Sequence, residues 1–242
     1  MVDGSAGRLP AAGGGVRIEL RRRQRIVLAH DAVNHVFAVE SGCLILDGLL
    51  ADNRRQVALI LYAGDVISRT AAPPVPQIGL TAVVPSLVDR LRADSLAEHQ
   101  AAAHAIGIDL AAATARLAAR SGLQTMAIGQ LTGEERVATL LLELALYLGK
   151  PTPGGHSFEI PLSRNDMADY TALNPDTLSR IVSRLRASGI VAMPTRSRAT
   201  VRDMAALAAL TPLAEALHRL RAATLETRRA PAVGLFAREP AE

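Results

Sequence analysis

The chain has 242 residues, enough for two small domains each with its own core. Tryptophan is absent and aromatics make up 2% of residues, which disfavours a nucleic-acid binder built on stacking rings. One cysteine, Cys43, excludes an internal disulfide and a four-cysteine iron–sulfur cluster, and no stretch approaches the ~20 apolar residues of a membrane-spanning helix. The formal net charge is +4, and Lys150 is the one lysine among otherwise arginine cations. No secretory leader is expected, because the basic run from Arg21 to Arg25 interrupts an apolar-poor start; a cytoplasmic location is the expectation.

Residues 1–15 are rich in Gly and Ala and read as a flexible arm; Gly13 to Gly15 lack the surroundings of a phosphate loop. From Val16 to Ile67 the segments IVLAH, HVFAVESGCLIL, RRQVALILY and DVI are rich in Val, Ile and Leu. Ser41-Gly42, Asp47-Gly48, Asp52-Asn53 and Gly64-Asp65 punctuate them as turns. Short strands at such spacing predict a jelly-roll or barrel. Pro73, Pro74 and Pro76 then predict a loop. Cys43 in an apolar strand reads as a small core residue. His30 and His35 are five apart, so on one strand they face opposite sides; His99 and His104 at the same spacing on a helix diverge in angle. No metal and no cofactor are expected.

Ser86 to about Gln130 reads as helical. Ile108, Ala112, Ala115, Ala119, Gly122 and Met126 recur in steps of four and three, a heptad seam of mostly small residues. The seam suits a homodimer; the alternative is a helix packed on its own N-terminal domain. A further helix runs from Leu131 to Gly149. Thr132 and Glu135 form its capping box, and Val137, Leu140, Leu141, Leu144, Ala145 and Leu148 form its apolar face. Lys150 to His156 reads as a loop.

The stretch from Pro161 to Arg202 carries the strongest signal. Ser163 with Asp166 opens one short helix, and Met167, Ala168, Tyr170 and Leu173 supply its apolar positions. Asn174, Pro175 and Asp176 open a second, as N-cap, first helical residue and first-turn carboxylate. Leu178, Ile181, Val182 and Leu185 bury one face, leaving Asp176, Ser179, Arg180 and Ser183 on the other. IVAM and ATVR then predict a hairpin around Pro194 to Arg198. The stretch holds seven Arg against three Asp, a formal +4 that equals the charge of the whole chain. Basic charge gathered on a helix-turn-helix with a wing is the electrostatic footprint of nucleic-acid binding. Arg180 can donate two parallel bonds to guanine O6 and N7, worth roughly 1–3 kcal/mol of base discrimination. Asp176 can accept from a cytosine or adenine amino group, and Ser179 can bond a base or touch a thymine methyl. Ser163, Arg164, Thr177, Arg184, Arg196 and Arg198 are candidates for phosphate contacts. Asp203 to Leu210 reads as a short helix, Thr211 and Pro212 restart another, and Ala230 to Glu242 reads as disordered.

SRNDMADYTALNPDTLSRIVSRLRASGIV resembles the winged helix-turn-helix of the Crp–Fnr family of bacterial transcription regulators. Asp176, Ser179 and Arg180 resemble the Glu-x-x-Ser-Arg reading triplet of its Fnr-like branch; Asp176 for Glu and Thr171 for an apolar or small residue depart from it. LTGEERVATLLLELALYLG resembles the helix leading into that domain, and VFAVESGCLIL with VALILYAGDVI resembles the family's sensor domain. VISRTAAPPVPQIGLTAVVPS lacks the Gly-Glu pair and the phosphate arginine of cyclic-nucleotide-binding relatives, with Arg69 out of pattern. Cyclic AMP is therefore not expected as a ligand, and the effector stays open.

The resemblance implies an α+β chain: flexible arm 1–15, β-barrel or jelly-roll sensor domain 16–104, dimerisation helix 105–130, winged helix-turn-helix 131–210, and helical extension with disordered tail 211–242. It implies a homodimeric regulator on inverted-repeat double-stranded DNA, with RNA polymerase as partner if it activates, no membrane partner and no enzymatic activity. The rival readings are a winged-helix protein-interaction module and a cupin-like metal enzyme using His30, His35 and Glu40.

Overall fold

Two antiparallel sheets share one interior in the N-terminal half of the computed structural model, which describes residues 8–10, 16–28, 35–75, 77–92, 109–195 and 197–229. The strands are β1 (Arg8–Pro10), β2 (Val16–Leu20), β3 (Arg25–Val27), β4 (His35–Ser41), β5 (Cys43–Leu49), β6 (Arg55–Tyr62), β7 (Val66–Ser68), β8 (Gly79–Ala82) and β9 (Ser86–Arg92). Their orders are β1-β2-β9-β4-β7 and β3-β8-β5-β6, two open sheets where a closed barrel was an option. The Ser-Gly and Gly-Asp turns form where expected, each with glycine in the left-handed region: Gly42 at φ 93° and Gly64 at φ 87°. At Gly42 a Cβ would also fall 2.2 Å from the Ser86 hydroxyl.

The first half of β5 and β6 from Val57 onward are apolar without alternation because both faces are covered. On β5, Leu44 and Leu46 point into the roll beside Leu61 and Leu80. Cys43 and Ile45 point the other way, into a core shared with the C-terminal half. Asp47-Gly48 is not a turn: both residues lie within β5, where a bulge shifts the register against β6.

Three further expectations are corrected. Ser86–Arg92 is a strand, paired with both β2 and β4, and not the start of a helix. Arg8–Pro10 within the expected flexible arm pairs with β2. Lys150 to His156 is not a loop: β10 (Lys150–Thr152) and β11 (Gly155–Glu159) form a hairpin. His30, His99, His104, Ile108, Pro76 and 230–242 lie outside the described residues.

Helix α1 (Leu110–Gln130) starts on the Asp109 cap and lays Ala113 against Val36, Ala38 and Val66 of the first sheet. Helix α2 (Gly133–Leu148) opens with the Thr132–Glu135 capping box and is almost wholly buried from Val137 to Ala145. The chain continues through α3 (Arg164–Thr171), α4 (Pro175–Ala187), the hairpin β12 (Val191–Thr195) and β13 (Arg198–Val201), α5 (Met204–Ala209) and α6 (Ala214–Arg229). Strands β10-β11-β13-β12 make one sheet beside α4.

A buried arginine ties these parts together. Arg120 of α1 is 6% exposed. Its Nη1 donates to Asp65 Oδ2 at 2.5 Å, its Nη2 donates to the Ile60 carbonyl, and Glu143 Oε1 of α2 lies 3.6 Å away. Tyr62 and Tyr170 donate their hydroxyls to Glu143 at 3.2 and 2.9 Å. The Tyr62 and Tyr147 rings stack at 4.3 Å, and the Arg120 guanidinium sits 4.9 and 5.2 Å from their centroids. Arg221 of α6 covers Tyr147 at 4.9 Å.

Replacing Arg120 with Ala would leave Asp65 and Glu143 buried without their cation, and should cost about 3–5 kcal/mol in urea unfolding. Burial pushes the Glu143 carboxyl above the ordinary carboxylate range, outweighing the pull of Arg120 and the two tyrosine hydroxyls. A raised folded value favours the proton-bound fold, so this contribution is full below the unfolded value of about 4.3 and is lost as pH rises through the folded value. The stability of wild type minus that of Glu143→Gln should therefore decline with rising pH across that window. Cys43 is 2% exposed and burial pushes its thiol up, so iodoacetamide at neutral pH should label it in urea and spare it in the native protein.

Candidate nucleic-acid interface

Helices α3 and α4 form the two arms of the helix-turn-helix. Ser163 accepts from the Asp166 amide at 3.1 Å, and Asp166 Oδ2 returns to the Ser163 amide at 3.0 Å, closing a capping box. α3 ends at Ala172, held in the left-handed region at φ 49°, and Arg136 of α2 donates to the Thr171 and Ala172 carbonyls at 2.9 and 3.3 Å. Thr171 is buried, and its hydroxyl bonds the Met167 carbonyl at 2.7 Å, which satisfies the departure noted at this position. Asn174 caps α4 by accepting from the Thr177 amide at 2.7 Å.

Leu178, Ile181, Val182 and Leu185 bury one face of α4. Asp176, Arg180 and Ser183 are exposed, and Ser179 is half-buried. Arg180 makes no hydrogen bond or ion pair among the described residues. The Ser179 hydroxyl donates to the Pro175 carbonyl at 2.8 Å, so it offers a base its lone pairs, which suit an adenine or cytosine amino group. The three candidate base-reading residues thus share one end of one helix.

The candidate phosphate contacts are less uniform. Ser163 gives its hydroxyl proton to Asp166 at 2.6 Å and its amide to the same carboxylate, so in this arrangement it has no donor left for a phosphate and acts as a cap. Arg164 is half-buried, its Nη1 has no hydrogen-bond partner among the described residues, and it lines a groove of about 330 Å³ with Ser179, Ser183, Arg186 and Thr195. Thr177 stands half-buried in the first turn of α4. Arg184 meets Glu134 at 3.2 Å and Arg198 meets Glu159 at 3.6 Å, both in solvent, where such pairs are weak enough to exchange for a phosphate. Arg196 lies outside the described residues.

On α1, Ala115, Ala119, Gly122 and Met126 of the expected seam form an exposed row and Ala112 is half-buried, while Ala113, Leu117, Arg120 and Ala127 pack inward. Met126 is 57% exposed. The helix therefore packs on its own sensor domain with one face and leaves the small-residue face exposed.

Arg186 and Arg202 escaped the sequence reading. They are exposed on a second groove of about 760 Å³ between α4 and the wing, continuous with the first through Ser183 and Arg186. The helical spacing from Ser179 through Ser183 to Arg186 was the signal for the former. The Gly64-Asp65 turn, which resembles a feature of ligand-binding relatives, is engaged internally: Asp65 accepts from the Tyr62 amide and from Arg120. Among the described residues no group of three or more His, Cys, Asp or Glu is placed to hold a metal, and no helix is long and apolar enough to cross a membrane.

Residues 135–210 match the Crp-like helix-turn-helix domain. The chain is 30% identical over 195 residues to the nitrogen fixation regulation protein FixK of Azorhizobium caulinodans, covering 77% of this chain and 75% of that protein. It is 28% identical over 189 residues to the transcriptional activator protein FnrL of Cereibacter sphaeroides, covering 76% and 75%. The FixK2 structure from Bradyrhizobium japonicum superposes with a TM-score of 0.67 at 27% identity, covering 81% of this chain and 97% of that one. With its helix-turn-helix, wing and sensor roll in place, the chain belongs to the Crp–Fnr family of DNA-binding transcription regulators.

Proposed function

We propose that the protein acts as a homodimer on an inverted-repeat operator, each protomer placing the N-terminal half of α4 in a major groove. The observation that carries this reading is the exposed Asp176–Ser179–Arg180 face on a helix whose opposite face is locked into the core. Asp176, Ser179 and Arg180 read base edges; Arg164, Thr177, Arg184, Arg196 and Arg198 set orientation on the phosphates. The exposed row from Ala115 to Met126 supports a seam along α1 that joins two protomers. Two-fold symmetry then separates the half-sites by about one helical turn, roughly 34–36 Å. RNA polymerase is the partner when the protein activates, and the site of action is the cytoplasm. The shorter carboxylate of Asp176 relative to Glu alters the base it reaches.

The test is fluorescence anisotropy on DNA enriched from a randomised pool, at fixed salt. Enrichment should yield an inverted repeat, and Arg180→Ala should lose about 1–3 kcal/mol, concentrated at one guanine position of each half-site. Weak binding that is uniform across sequences and indifferent to Arg180→Ala would assign reading to another element.

A further inference from the structure

The sensor sheet and the helix-turn-helix meet through a polar lock beside their shared apolar core. Arg55 opens β6, and its guanidinium reaches three carboxylates among the described residues. Nε donates to Asp47 Oδ2 at 2.9 Å, and Nη1 donates to Asp166 Oδ1 at 2.9 Å and to Asp169 Oδ2 at 2.7 Å. The next residue adds a neutral bond, Gln56 Nε2 to the Asp169 carbonyl at 2.6 Å. The sensor end of the lock is anchored. Asp47 is 1% exposed and also accepts from Arg25 at 2.6 Å and Thr81 at 2.9 Å, so it cannot follow Arg55 outward. The other end is the start of α3 itself. Asp166 is the residue that closes the capping box with Ser163, and Asp169 lies one turn on. α3 leads through Ala172 to Asn174 into α4, so whatever fixes α3 fixes the reading helix.

The chemistry of the lock is specific to arginine. The planar fork presents donors in divergent directions at once, and charge-assisted bonds with most of the pair withdrawn from water are stronger than surface pairs. Arg55 is 29% exposed, Asp166 17% and Asp169 28% at their side chains, so the pairs are only partly screened. A lysine at this position supplies one point charge and no fork.

In a dimer joined along α1, the separation of the two reading helices is set by how rigidly each helix-turn-helix is held to its own sensor domain. We propose that Arg55 is a positioning residue for operator recognition: by pinning α3 to the sensor sheet it fixes the half-site spacing that the dimer accepts. This rests on the homodimeric inverted-repeat reading above. A loosened lock leaves each reading helix intact, so one half-site binds as before while discrimination between spacings falls. Simultaneous engagement of two sites depends on geometry in this way.

The experiment uses the full chain and duplexes carrying the enriched half-site as an inverted repeat, with the central spacing changed in steps of one base pair, and a duplex with a single half-site. Wild type should prefer one spacing over its neighbours by about tenfold or more. Arg55→Ala and Asp169→Asn should each compress that ratio to about threefold or less, with single-half-site affinity within about twofold of wild type, and combining them should add little because they remove the same contact. Arg55→Lys should fall between. If these variants weaken every duplex by the same factor and keep the wild-type spacing ratio, or change nothing, the proposal is overturned. Should Arg55→Ala melt at the assay temperature, Arg55→Lys and Asp169→Asn decide the matter by the same ratio. Wild type binding without any spacing preference overturns the homodimeric inverted-repeat reading itself, and the role of Arg55 falls with it.

Discussion

A cation withdrawn from water must be matched where it lies, and Arg120 imposes that demand on the whole molecule. Its partners come from separate parts of the chain: Asp65 from the turn after β6, the Ile60 carbonyl from β6, and Glu143 from α2. None can leave without exposing the others to an unpaired charge. The sensor sheet, α1 and α2 are therefore held in one mutual setting by electrostatic necessity. The stacked Tyr62 and Tyr147 rings sit on the same cation and add an apolar reason for the same arrangement.

The covered sheet extends this coupling into packing. Cys43, Ile45, Val57, Ile60 and Tyr62 on the outer face of β5 and β6 share one cluster with Leu140, Leu141 and Leu144 of α2 and with Leu178 and Ile181 of α4. A shift in the sensor strands is thus felt by the residues that seat α4, because close-packed interiors transmit displacement. Two polar contacts straddle this core, Arg120 at its buried centre and Arg55 toward its rim.

What could be read from the chain was local. Ser163, Thr132 and Asn174 announce helix starts because capping is a matter of three or four residues. The stripe Leu178, Ile181, Val182, Leu185 announces a buried face because its period is built into the helix. Ser86–Arg92 misled because Leu87, Asp89 and Arg90 suit a helix as readily as a strand; pairing with β2 and β4, far away in sequence, decides the matter. Asp89 is held there by the fork of Arg17 at 2.8 and 3.0 Å. The hairpin at Lys150–Glu159 was hidden by Pro151 and Pro153, since proline in a candidate strand argues against it except at an edge, and β10 is an edge. Arg55 and Arg120 look like ordinary surface cations in the sequence. The α3 carboxylates of Arg55 stand 111 and 114 positions away and Asp65 stands 55 from Arg120, so no local pattern could pair them.

The placement of α6 has a consequence in time. Tyr147 is capped by Arg221, which is translated after it. At about 5–20 residues per second, the ribosome needs roughly 4–15 s to pass from Tyr147 to Arg221. Through that interval the ring has its sensor-side neighbours available and not its outer cover. Helices α2, α3 and α4 and the wing are thus all translated before α6 supplies the cover over Tyr147.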